Sequence, residues 1–108
     1  MVAIASLGIT GTGLGQVMSE FTNSGQALGT SESDSIALGD LDGDGDLDAM
    51  VGNYGEPNTV WTNDGSGTFT DSMQALRNSN SNSVALGYLD VDGDLHGMVP
   101  NGGQPNTV

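Results

Sequence analysis

Asp40-Leu41-Asp42-Gly43-Asp44-Gly45-Asp46-Leu47-Asp48 places five carboxylates in nine residues, on alternate positions, with glycines where the chain must turn. Carboxylates about 5 Å apart repel by roughly 3 kcal/mol per pair at an effective dielectric near 20. A compact loop of this composition calls for a cation, and a donor set made only of oxygen selects a hard one, with Ca²⁺ first. The competing reading is an acidic turn whose Asp side chains bond their own backbone.

Working outward from the loop, the sequence copies itself at an offset of 48. Ser35-Ile36-Ala37-Leu38-Gly39 returns as Ser83-Val84-Ala85-Leu86-Gly87, and Pro57-Asn58-Thr59-Val60 returns as Pro105-Asn106-Thr107-Val108. Gln26-Ala27-Leu28 returns as Gln74-Ala75-Leu76, and 26 of the 41 positions in 20–60 recur in 68–108. A fixed period of this size is the mark of a repeat array. Within one period, Ser35–Leu41, Leu47–Asn53, Thr59–Thr62 and Thr68–Met73 read as short strands separated by Asn, Asp, Gly and Pro. Ile36 and Leu38 supply the apolar positions of the first strand, Met50 and Val51 those of the second. No stretch sustains a 3.6-residue apolar period, so helix is not expected. About four strands per period of this length predicts an all-β fold, a partial β-propeller of about two four-stranded antiparallel blades.

Composition narrows the function. The 108 residues include 18 glycines and no cysteine, and the net charge is −13 with Arg77 the sole Lys or Arg. Such a field repels phosphate backbones and anionic headgroups, which argues against nucleic acid and membrane partners. No apolar run is long enough to span a bilayer. Met1 to Ile9 lacks the basic start of a signal peptide, so an export signal is not expected here.

Ala37 to Val51, followed by Asn53-Tyr54-Gly55 and Asn58-Thr59-Val60-Trp61, resembles the FG-GAP/VCBS repeat of integrin-alpha-like β-propellers. The resemblance covers Phe21 to Val108. It implies a calcium loop in the hairpin between the first two strands of a blade, ligated by the side chains of Asp40, Asp42, Asp44 and Asp48 and by the backbone carbonyl of Asp46. Gly45 permits the positive φ that wraps the chain round the ion. It further implies an order along the chain: 1–19 unassigned, 20–34 the end of a preceding blade, 35–82 a complete blade, and 83–108 a partial one. The implied role is a structural or adhesion module of a secreted or cell-surface protein. Such a module packs against further blades and meets a protein or glycan ligand at its surface.

In the second copy the loop is eroded. Asp90, Asp92 and Asp94 persist, but Tyr88 replaces the first aspartate and His96 the last, so calcium binding there is expected to be weak or absent. A lone His with no second His or Cys is not expected to act as a metal ligand or base. Pro100, in place of Gly52, removes a ladder donor and should end its strand early. An EF-hand is excluded, because position twelve from Asp40 is Val51 rather than Glu.

No catalytic constellation is visible, and the chain is not expected to be an enzyme; accessory repeats of an extracellular hydrolase or lyase are the nearest enzymatic context. A carbohydrate-binding propeller is the alternative, with Trp61 or Tyr54 stacking on sugar, although core packing is the simpler role for Trp61. Met18, Met50, Met73 and Met98 read as core residues. Asn78 to Ser83 reads as a solvated connection. Gly11-Thr12-Gly13-Leu14-Gly15 reads as a flexible turn, not a dinucleotide loop.

Overall fold

The computed structural model describes residues 2–10, 18–78 and 80–108, and side chains within 20–78 and 80–108. The Gly11–Gly15 turn and the Met18 side chain lie outside the described residues. Eight strands and no helix appear among those described: β1 (Val2–Thr10), β2 (Met18–Leu28), β3 (Ser33–Gly39), β4 (Asp48–Asn53), β5 (Pro57–Asn63), β6 (Phe69–Asn78), β7 (Ala85–Gly87) and β8 (His96–Met98). They form three antiparallel sheets, β1-β2, β3-β4-β5-β6 and β7-β8.

The four-stranded meander is the first copy of the repeat. β4 is its most enclosed strand, buried along its whole length. Sequence alternation sends Met50 and Gly52 to one face and Ala49, Val51 and Asn53 to the other. β3 turns its smaller residues inward. Ala37 and Gly39 face inward, whereas Ile36 and Leu38 are exposed. The reason is the closeness of the second copy. A Cβ on Gly39 would lie 2.6 Å from Leu95 Cδ1 and 2.9 Å from Leu86 Cδ1, and one on Gly97 would lie 2.7 Å from Met50 Sδ. Small residues are what let the two copies meet, and Met50, Val60, Val84 and Val99 fill the space between them. A Gly39→Val chain is therefore expected to lose about 1–3 kcal/mol through overpacking, read as a lower urea midpoint at unchanged slope.

The second copy keeps the register of the first but little of its length. Ser81 bridges Asn101 and Val99 bridges Thr107, the counterparts of Ser33↔Asn53 and Val51↔Thr59. β8 stops at Met98, two residues before Pro100, as the missing N–H requires.

β1 lies inside the segment that the repeat leaves unassigned. Its pairing with β2 reproduces β5 on β6: Ala3↔Ala27, Ala5↔Asn23 and Leu7↔Phe21 correspond to Thr59↔Ala75, Trp61↔Asp71 and Asn63↔Phe69, with the irregularity at the same place. Thirteen residues separate Leu7 from Phe21 where five separate Asn63 from Phe69, and β1 and β2 stay paired for three more rungs, to Thr10↔Met18, beyond the point where β5 and β6 end. Sequence comparison misses β1 because that extra length breaks the 48-residue offset. The Gln26 side chain ties β2 to the meander, donating to Gly67 O (2.7 Å) and accepting from Phe69 N (2.8 Å).

Two methionines depart from their expected role. Met73 is 85% exposed at φ 60° and Met98 is also exposed, so only Met50 is a core residue among the described methionine side chains. Ser81 is fully buried, which corrects the reading of 78–83 as wholly solvated.

Candidate metal centre

The acidic stretch connects β3 to β4, a hairpin closed at the loop by the pair Gly39↔Asp48. Gly43 and Gly45 adopt φ of 81° and 93°, a region closed to most side chains. These two reversals fold the aspartates back on themselves. Asp40 accepts the Gly43 N–H at Oδ1 (2.7 Å) and the Gly45 N–H at Oδ2 (2.9 Å). Asp42 accepts the Asp44 N–H (3.1 Å) and Asp44 accepts the Asp46 N–H (2.9 Å). The self-bonded turn weighed above is thus present, and it organises the loop without using up its oxygens. A carboxylate has about four lone-pair positions, of which Asp40 uses two and Asp42 one.

Asp48 differs from the others. It is wholly buried. Its Oδ2 accepts from Leu41 N (2.8 Å) and Asp42 N (3.3 Å), while Oδ1 accepts from Asn63 N (2.9 Å). One carboxylate therefore joins the loop, the start of β4 and the end of β5.

Asp40, Asp42 and Asp48 each offer an oxygen within 4.8 Å of the other two. Asp44 stands outside that group of three. The Asp46 carboxylate packs against the β5–β6 turn, where a Cβ on Gly65 would lie 2.6 Å from its Oδ2, so its side chain is turned to a neighbouring loop. The Asp44 N–H bonded to Asp42 favours the ionised form, but desolvation and the carboxylates of Asp44 and Asp48 outweigh it. Asp42 consequently holds its proton above the ordinary aspartate range. That residual repulsion is what a cation relieves, and an all-oxygen donor set fits a hard one.

The loop between β7 and β8 repeats the pattern in part. Asp90 accepts the Asp92 N–H (3.0 Å) and Asp92 the Asp94 N–H (2.9 Å). Asp90, Asp92 and His96 offer donor atoms within 4.8 Å of one another, with His96 Nε2 3.6 Å from Asp90 Oδ2. The Asp94 N–H, an Asp90 side-chain contact and the nearby imidazole hold the Asp92 carboxyl below its usual range. Asp94 is not part of this group, and His96, set aside in the sequence reading, is. Only its place opposite Asp48 in the repeat could have marked it.

The aromatic residues are placed differently. Trp61 is half-buried with its ring 3.6 Å from where a Gly29 Cβ would lie, and its N–H donates to Thr59 Oγ1 (3.0 Å). Tyr54 is exposed.

A model of the FG-GAP-like repeat matches residues 40–96, from the first aspartate of one loop to the histidine of the other. The chain belongs to the FG-GAP-like repeat family. No curated protein and no solved structure matches it. The match spans both acidic loops of this FG-GAP-like chain and the β4–β7 strands between them.

Proposed function

We infer that this FG-GAP-like chain is a calcium-stabilised segment of a β-propeller, serving as a structural and interaction module of a secreted or cell-surface protein. The observation that carries the reading is the convergence of Asp40, Asp42 and Asp48 oxygens in the β3–β4 hairpin. Bound there, calcium supplies positive charge that neutralises the loop. Asp40 and Asp42 provide oxygens on the loop side, and Asp48 links the ion to β5 through Asn63. Asp44 and the Asp46 carbonyl complete the ligand set on this reading.

The blade arrangement rests on the way the two copies meet. Val84, Leu86 and Leu95 of the second copy lie over Gly52 and Gly39 of the first. Their counterparts in the first copy, Ile36, Leu38 and Leu47, are exposed. An adjoining blade, from the same or another chain, covers them in an assembled propeller as the second copy covers the first. A protein or glycan ligand then meets the finished surface. No chemistry is assigned to the repeats, which act as scaffold rather than enzyme.

Extracellular repeat modules bind calcium with dissociation constants of about 10⁻⁴–10⁻³ M, a range filled outside cells and empty in cytosol. Calorimetric titration is expected to give one such site, abolished in Asp40→Asn. At ten times that constant, calcium adds about 1.4 kcal/mol, or roughly 5–10 °C in melting temperature, all of it removed by EDTA. Absence of heat at millimolar calcium, together with a melt indifferent to chelator, would sink the reading.

A further inference from the structure

Asn101-Gly102 is the one Asn-Gly step in the chain. Asparagine is a thermally labile residue, most of all before glycine, which sets no side chain in the path of its own backbone nitrogen. In the reaction the Gly102 nitrogen gives up its proton to water or hydroxide and attacks Cγ of Asn101. The Cγ–N bond breaks and ammonia leaves, so that a cyclic imide remains. Water then opens the imide on one side or the other, leaving aspartate or isoaspartate, and water is the sole reagent consumed.

The folded chain ties up every group this reaction uses. The Gly102 N–H donates to Asn80 O (3.1 Å). The Asn101 carboxamide is held at both ends, Nδ2 donating to Pro105 O (2.9 Å) and Oδ1 accepting from Ser81 Oγ (3.3 Å). Asn101 is buried, so the water that must carry the proton away is largely excluded. The first copy grips Asn53 in the same manner, with Nδ2 on Pro57 O (2.8 Å), but Tyr54 follows it and its side chain obstructs ring closure. The second copy alone joins that grip to a reactive sequence. It is also the less firmly built copy: β7 and β8 have three residues each, and Ser81↔Asn101 and Val99↔Thr107 are isolated bridges. Short elements with few ladder bonds open before the whole chain does.

We propose that Asn101 is a self-modification site gated by the docking of the second copy on the first. It is inert while the copies are docked, and it converts to aspartate or isoaspartate when the second copy opens. Conversion makes the opening one-way. A carboxylate oxygen in the place of Nδ2 faces Pro105 O, acceptor against acceptor, with a charge taken out of water. Isoaspartate also lengthens the backbone by one methylene at the Ser81↔Asn101 bridge.

Peptide mapping by mass spectrometry in mildly alkaline buffer tests the gate. Asn101 is expected to convert at least about tenfold faster in urea than in native buffer, while exposed Asn82, followed by Ser83, changes by less than about twofold. Gly102→Ala should suppress the conversion in urea, where the folding of the variant has no bearing. Asn101→Asp reproduces the product directly. Its Val99 and Thr107 amides, which bond each other's carbonyls (2.9 and 3.0 Å), should exchange at least about tenfold faster than in the parent chain, while the β4 amides keep their protection. Equal Asn101 rates in urea and buffer would remove the gate, and undiminished conversion in Gly102→Ala would remove the reaction. Parental protection of Val99 and Thr107 in Asn101→Asp would remove the one-way step.

Discussion

Asp48→Ala is expected to destabilise the chain by about 4 kcal/mol or more, at any calcium concentration. The carboxylate is fully buried and accepts three backbone N–H groups, from Leu41, Asp42 and Asn63. Hydrogen bonds to a charged group contribute about 1.5–3 kcal/mol each, and donors left unpaired in the interior carry a desolvation penalty as well. A chain of this size has about 5–15 kcal/mol in total, so much of the fold's margin depends on one side chain. Asp48→Asn separates structure from charge. Its carbonyl oxygen still accepts from part of the set, so the variant should fold with a loss of about 2 kcal/mol, while losing one unit of charge from the metal loop. Asp44→Asn, outside the convergent group, should cost under about 0.5 kcal/mol. Urea melts in EDTA read the first effect and calcium titration the second. Equal destabilisation by Asp48→Ala and Asp44→Asn in EDTA would remove Asp48 from its structural role.

The contrast among these aspartates marks the limit of what the sequence disclosed. The alternation of carboxylates, the turn glycines and the 48-residue period located the loop, the strands around it and the early end of β8. Each is a local or repeated feature, legible without knowledge of what packs on what. The differences within the loop depend on other elements. Asp48 is singled out by the end of β5, and Asp46 is drawn aside by Gly65. Ile36 and Leu38 illustrate the same point. They are the apolar positions of β3, yet the face that meets the second copy is built from Ala37 and Gly39, because backbone approach there leaves no room for larger side chains. A hydrophobic count favours the larger residue, whereas close packing favours the smaller. His96 was passed over for a related reason, since its partners become visible only when the loop is folded. β1 escaped because extra residues between paired positions shift sequence offset without disturbing strand register.

Asn58→Ala is expected to be the second most damaging change, at about 3 kcal/mol, although no metal or apolar contact is involved. Asn58 is buried, accepts the Asn53 N–H (2.9 Å) and donates to Ser81 Oγ (2.9 Å). Asn53 in turn donates to Pro57 O (2.8 Å) and accepts from Ser33 Oγ (2.9 Å), and Ser81 donates to Asn101 Oδ1 (3.3 Å). This chain of amides and hydroxyls crosses from the first copy to the second, so truncating its middle member removes a hydrogen bond from each side. The second copy provides an internal control. Asn106 makes the equivalent bond to Asn101 N (3.1 Å), but it is exposed, and water replaces its side chain when it is removed. Asn106→Ala should therefore cost only about 0.5–1 kcal/mol. A double-mutant cycle between Asn58→Ala and Ser81→Ala should return a coupling of about 1 kcal/mol, since the two side chains share a bond. If Asn58→Ala and Asn106→Ala prove equally mild, burial is not what gives the repeated Pro-Asn motif its weight.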